Sequence, residues 1–178
     1  MSALDWAALR VLIVDDNAFF RQVVRTVLSA AGVTEILEAG TSEEALDRFW
    51  AEDLIDLVLL DYVMKPQDGL AVTRMMRDEA HSHNPTVPII MVSGHLNPAE
   101  VRIALDAGVH AVVGKPISAR ELLRVVKRTM TEPVPFVRTE GDFGPDHRRP
   151  ARAPQTDQTG GEASPQAETG IVSDAREE

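Results

Sequence analysis

Residues 11–17 read VLIVDDN: four large apolar side chains in succession, then two aspartates and an asparagine. So short a run without polar alternation marks a strand covered on both faces, because a parallel sheet between helical layers leaves neither face to water. The pattern returns at 57–61, LVLLD, and at 89–93, IIMVS, each ending on a polar side chain. With two weaker runs, the expected strands are Val11–Val14, Glu35–Glu38, Leu57–Leu60, Ile89–Val92 and Ala111–Val113. Amphipathic stretches at 18–31, 42–52, 69–79, 98–107 and 118–130 separate and follow them. In the first, Phe20, Val23, Val24, Val27, Leu28 and Ala31 recur at helical spacing. Thr41 with Glu44 and Ser118 with Glu121 fit capping boxes, Asn97 before Pro98 fits an N-cap, and Gly32 and Gly108 stand where helices stop. Strand-helix alternation of this kind predicts an α/β fold: a doubly wound (βα)5 parallel sheet of flavodoxin-like type, strand order 2-1-3-4-5.

Composition bounds the rest. The chain has 178 residues, and 44% of them are apolar, enough for one domain of ordinary size. With no cysteine there are no disulfides, thiolate metal sites or cysteine nucleophile. Neither a membrane span nor a secretory signal is evident, since no apolar run reaches ~18 residues and Met1 to Arg10 lacks a basic start; the expectation is a cytoplasmic protein. The formal charge of −10 argues against DNA or anionic membranes as broad partners. At Pro133 the composition shifts: residues 1–132 hold 11 glycines and prolines together, and the 46 residues of 133–178 hold 11 more. Only Val134, Phe136, Val137, Phe143, Ile171 and Val172 are large and apolar there, too few to order a second core. The expected organisation is an N-terminal extension 1–8, a domain 9–131 and a disordered tail 132–178. That tail has a weakly basic segment, 138–152, and an acidic end.

Open parallel sheets bind ligands beyond the carboxyl ends of their strands, near the point where strand order reverses. There the sequence places Asp15 and Asp16 after the first strand, Asp61 after the third, Ser93 after the fourth and Lys115 after the fifth. In the order 2-1-3-4-5 the first and third strands are neighbours ~4.8 Å apart, so the three acids share one pocket. Three adjacent carboxylates are costly to keep ionised without a cation. Oxygen ligands with an open position suit Mg²⁺, a hard ion that accepts a phosphate oxygen. Each feature alone is commonly a turn, a cap or a loop; their arrival together at one edge of successive strands is not.

On these residues the chain resembles, over roughly 9–131, the receiver domain of bacterial two-component response regulators, the CheY-like family. The matching text is VLIVDDN with Arg21 further on, LVLLDYVMKPQDG, PIIMVSGH and DAGVHAVVGKPIS. The resemblance implies that Asp61 is the phosphoacceptor and that Asp16, Asp61 and the Val63 backbone carbonyl bind Mg²⁺, with Asp15 acting through a metal-bound water. It further implies that Ser93 and Lys115 meet the phosphoryl oxygens and that Lys115–Pro116 is cis. A sensor histidine kinase or a histidine phosphotransfer protein would be the donor. Such a molecule is a switch more than an enzyme.

Three departures from the family pattern carry expectations. Lys65 stands where many relatives have proline, with Pro66 following, which predicts a reshaped loop and an extra cation near the donor-docking edge. Val112 replaces an aromatic residue that turns inward on activation in many relatives, which predicts a different response on the face of the fourth helix, fifth strand and fifth helix. Val63 and His95 occupy the positions flanking the hydrolytic water, and of the two only a histidine can orient it.

Nothing after Pro133 has a helix-turn-helix pattern or a catalytic constellation, so a stand-alone receiver acting on a downstream protein target is expected. The tail arginines Arg138, Arg148, Arg149 and Arg152, interspersed with phenylalanines, resemble extensions of some stand-alone receivers that bind cyclic di-GMP; a solvated linker is the plainer reading. A nucleotide-binding adaptor with an idle receiver is therefore the alternative. A Mg²⁺-dependent phosphatase with an aspartate nucleophile fits poorly, because those enzymes carry a D-x-D sequence after the first strand and Asp15-Asp16-Asn17 does not match.

Overall fold

Each expected strand is present in the computed structural model, which describes residues 4–51, 54–95, 97–132, 134–138 and 143–147. The strands are β1 (Arg10–Val14), β2 (Glu35–Ala39), β3 (Leu57–Asp61), β4 (Ile89–Ser93) and β5 (Ala111–Gly114). All pair in parallel, in the order β2-β1-β3-β4-β5. Five helices follow them in turn: α1 (Ala18–Ala31), α2 (Ser42–Ala51), α3 (Gly69–Arg77), α4 (Pro98–Asp106) and α5 (Ala119–Thr131).

Period-two alternation divides each central strand between two cores. Val11, Ile13, Leu57, Leu59 and Ile90 pack with Val24 and Leu28 of α1 and Leu122, Val125 and Val126 of α5. Their neighbours Leu12, Val14, Val58, Leu60, Ile89 and Met91 pack on the other face with Phe49 of α2, Met76 of α3 and Ala104 of α4. Burying such side chains stabilises the fold by about 1.5–3 kcal/mol each. That is why apolar runs without alternation settle at the sheet centre. Val23, grouped by spacing with the core face of α1, remains 42% exposed.

The helix ends follow the capping residues. Asn17, Asp68, Asn97 and Ser118 each accept backbone N–H groups of the first turn that they precede. Glu44 donates its amide to Thr41 Oγ1 and its carboxylate reaches back to the Gly40 amide, one residue beyond that of a standard box. Glu121 does not reach back at all, because its carboxylate is taken by Arg124. Gly32 and Gly108 have φ of 108° and 107°, the left-handed conformation that ends α1 and the turn after α4. Helix α3 stops at Arg77, short of the expected 79, because Asp78 turns the chain: its carboxylate binds the Ala80 amide and the His81 ring.

The tail, expected without fixed structure from residue 132, needs correction in its first part. Strands β6 (Phe136–Arg138) and β7 (Phe143–Pro145) pair antiparallel and pack against Arg77 at the end of α3 and the turn before β5. Phe136 and Phe143 lie against each other at 5.2 Å, and Phe136 also meets the His110 ring at 5.4 Å and the Arg77 guanidinium at 5.3 Å. His147 Nε2 donates to the Val109 carbonyl at 2.7 Å, and a Cβ on Gly144 would come within 2.8 Å of Gly108 Cα. The tail's two phenylalanines do not make a second core; they pack on each other and on the His110 ring and Arg77 guanidinium. Arg148, Arg149 and Arg152, with the acidic end, lie outside the described residues.

Candidate functional site

Parallel register carries the acids together. Val14 pairs with Leu60, which puts Asp15 beside Asp61, and Ser93 pairs with Gly114, which brings Lys115 to the same edge. Asp15 is the first residue past β1 and is held at four points. Its amide donates to the Ala39 carbonyl at 3.1 Å, its carbonyl accepts from Arg21 at 2.7 Å, and Oδ1 accepts the Asn17 amide at 2.9 Å. Oδ2 takes the fourth bond, from Lys115 Nζ at 2.6 Å. The same ammonium donates to Asp61 Oδ1 at 2.9 Å. Asp16, between the cap residue and Asp15, is exposed at the mouth, whereas Asp15 and Asp61 are buried.

Charge and burial oppose each other here. Burial pushes the Asp61 carboxyl above its usual range; the hydrogen bond from Lys115 works against that, and the charges of Asp15 and Asp16 reinforce it. Burial disfavours the Lys115 ammonium too, but its bonds to Asp15 and Asp61 outweigh the penalty and its pKa stands above the ordinary value. Carboxylate oxygens of Asp15, Asp16 and Asp61 all lie within 4.8 Å of one another. An all-oxygen donor set with one open, exposed member fits Mg²⁺, which keeps several waters and binds through one or two carboxylates.

Around this centre the loops are fixed by the backbone. Gly69 closes the β3–α3 loop by donating to the Tyr62 carbonyl at 3.0 Å, and a Cβ there would sit 2.3 Å from the Asp61 carbonyl oxygen. Only glycine allows that approach. Within the loop Val63 is 63% exposed, Lys65 is exposed and Met64 is buried. The peptides Lys65–Pro66 and Lys115–Pro116 are both cis. Ser93 is buried at the end of β4; its hydroxyl donates to the His95 carbonyl and accepts the His95 amide, so it is engaged with its own loop. The His95 side chain is exposed, and Val112 packs partly buried against the core on the α2–α4 side.

Two contributors are not evident from spacing. Phe20, grouped by periodicity with the core of α1, also lies under Lys115, with Nζ 4.5 Å from its ring centroid. Glu38 reads in the sequence as the end of a strand, yet it accepts from Arg21 at 3.1 Å and from Arg25, and so orients the arginine that holds the Asp15 carbonyl. Arg25 first, and Arg21 after it, hold the Glu38 carboxyl below its ordinary range in spite of burial. Of the tail candidates only Arg138 is described. It pairs with Glu79 and lies 6.0 Å from the Phe143 ring centroid, far from the acidic pocket in the fold.

Comparison with known proteins bears on this geometry. Residues 11–127 match the family model of the response regulator receiver domain. The chemotaxis protein CheY1 of Helicobacter pylori is 32% identical over 124 residues, covering 68% of this chain and 98% of that protein. A CheY homolog of Campylobacter jejuni is 31% identical over 114 residues, covering 64% and 86%. Among solved structures, Vibrio cholerae CheY4 superposes with a TM-score of 0.63 at 26% identity, covering 68% of this chain and 98% of its own.

Proposed function

Because the chain belongs to the response regulator receiver domain family, we propose that it is a phosphorylation switch whose acceptor is Asp61. The observation that carries the reading is Lys115 bridging Asp15 and Asp61 inside a cluster of three carboxylates. The donor would be a sensor histidine kinase or a histidine phosphotransfer protein. A carboxylate oxygen of Asp61 attacks phosphorus in line, the P–N bond to the donor imidazole breaks, and the electron pair leaves with the imidazole, which is protonated. Asp15, Asp16, Asp61 and the Val63 carbonyl would hold Mg²⁺, which neutralises charge on the equatorial oxygens when bound.

This chain's residues do the rest. Lys115 releases Asp61 Oδ1 and follows the phosphoryl oxygens with its ammonium. Ser93 exchanges its bond with the His95 carbonyl for one to the same group, which draws the β4–α4 loop toward the site. Arg21, fixed by Glu38, keeps the Asp15 main chain from shifting as charge accumulates. A single carboxylate charge thereby becomes a dianionic group, and a loop repositioned by it alters the surface offered to a downstream protein. Chemotaxis, which the Helicobacter relative serves by name, is the first process in which to seek that partner.

The alternative, cyclic di-GMP binding through Arg138, Arg148, Arg149 and Arg152, draws less support, since Arg138 is already paired with Glu79. Titrating the dinucleotide into the full chain and into one ending at Glu132 tests it. For the main reading, the native chain and Asp61→Asn are incubated with acetyl phosphate and intact masses recorded. We expect one added phosphoryl group on the native chain, none on the variant and none when Mg²⁺ is chelated. Equal labelling of the variant would sink the assignment.

A further inference from the structure

We infer that Phe20 is a positioning residue for phosphoryl transfer, its ring face holding the Lys115 ammonium at the acidic pocket while the acceptor changes. The inference rests on the reading of Asp61 as phosphoacceptor and adds a residue to it. Lys115 Nζ has three N–H bonds; carboxylates of Asp15 and Asp61 accept at 2.6 and 2.9 Å, and the Phe20 centroid stands 4.5 Å away. That separation is well within the ~6 Å over which a cation is drawn to an aromatic face.

The choice of partner matters because of what the pocket receives. Three carboxylates against one ammonium already leave the site negative, and the incoming group is an anion. Another carboxylate would hold Lys115 firmly but would repel the phosphoryl oxygens and compete with them for the ammonium. A ring attracts the cation through its quadrupole, carries no net charge and offers no oxygen acceptor. It therefore keeps the flexible lysine stem in place without opposing its move from Asp61 Oδ1 to the phosphoryl group.

Phe20 is itself fixed for the task. It sits in the first turn of α1, where Asn17 Oδ1 accepts the Phe19 and Phe20 amides at 3.0 and 3.2 Å, and its ring packs partly buried on the α1–α5 core. Phe19, one residue earlier and 78% exposed, supplies an internal control.

The test incorporates mono-, di- and trifluorophenylalanine at residue 20 of the full chain, a series that drains the ring face of negative potential with little change of shape. Phosphorylation from acetyl phosphate at saturating Mg²⁺ is measured alongside Phe20→Leu and Phe19→Leu. The logarithm of the rate should fall steadily with fluorine count, reaching about 3–10-fold for the trifluoro variant, with melting temperature unchanged. Phe20→Leu should match that loss and Phe19→Leu should match the native rate. In the metal-free chain, the ring-current shift of the Lys115 ε protons should vanish in Phe20→Leu. A flat fluorine series on a chain that still phosphorylates overturns this inference alone; if Phe20→Leu fails to fold, the series decides. Failure of the native chain to take a phosphoryl group on Asp61 removes the functional reading and this inference with it.

Discussion

A methyl group at residue 69 would stand 2.3 Å from the carbonyl oxygen of Asp61, so the Asp61 backbone dictates which residue ends the loop that follows it. Gly69→Ala must push either α3 or β3 aside. We expect a loss of about 1–3 kcal/mol, seen as a thermal midpoint several degrees lower, together with slower phosphorylation. Arg21 acts on the other strand. Removing the guanidinium in Arg21→Ala frees the Asp15 carbonyl, and Mg²⁺ affinity, followed by calorimetric titration, should fall about 10-fold, the lower end for supporting residues of a metal site. Glu38→Gln should give part of the same loss, because Arg21 keeps its bond but loses its charged orienter. His95 is exposed, with its backbone bound to the Ser93 hydroxyl; His95→Ala should lengthen the phosphoaspartate half-life, and an unchanged half-life removes it from hydrolysis. At this scale Asp15, Asp16, Asp61 and Lys115 were legible because all lie within two residues of the end of an apolar run, and parallel pairing aligns run ends. Phe20 and Glu38 were not, because helical and strand periodicity accounts for them fully and says nothing of a second duty.

The element whose structure departs most from its sequence is the β6–β7 hairpin. Counting apolar residues across 133–178 dilutes Phe136 and Phe143, which act only as a pair brought face to face by strand pairing. Beneath them the Arg77 guanidinium donates to the carbonyls of Gly108, Pro85 and Val87 at 3.0, 2.9 and 2.8 Å, tying the ends of α3 and α4 to the start of β4. A chain ending at Glu132 should keep the (βα)5 fold and melt several degrees lower, since this network then faces water. His110 belongs to the same cluster. Its Nδ1 accepts the Ile89 amide at 3.2 Å, which requires the neutral ring; burial first, then the charges of Arg77 and His147, pull its pKa from 6.5 down to about 3. The unfolded chain therefore binds a proton that the folded chain refuses between those values. The stability from this group is whole above pH 6.5 and falls with pH by at most about 1.4 kcal/mol per unit until near 3. Denaturant melts of the native chain and His110→Gln from pH 7 to 4 check this: the variant should show the shallower decline, and parallel curves would refute it.

Across the whole molecule the two specialised regions lie at opposite poles. The acids, Lys115 and Ser93 crowd the carboxyl ends of the strands, while the hairpin meets Gly108, Val109 and His110 just before β5, at the pole away from Asp61. No helix among the described residues is long and apolar enough to cross a membrane. The strands and both helical layers followed from apolar runs and caps, which are local signals; the sheet order came from the fold type they imply, and the site from that topology acting on the run ends. The proposed function turns on Asp61 receiving a phosphoryl group where three carboxylates and one ammonium meet. The most direct measurement traps that bond: the chain is treated with Mg²⁺ and a phosphodonor, reduced with borohydride, which converts an aspartyl phosphate to homoserine, and sequenced by tandem mass spectrometry. We predict homoserine at residue 61, dependent on Mg²⁺ and absent in Lys115→Ala at matched times. Homoserine at another aspartate, or none in the native chain, would contradict the account.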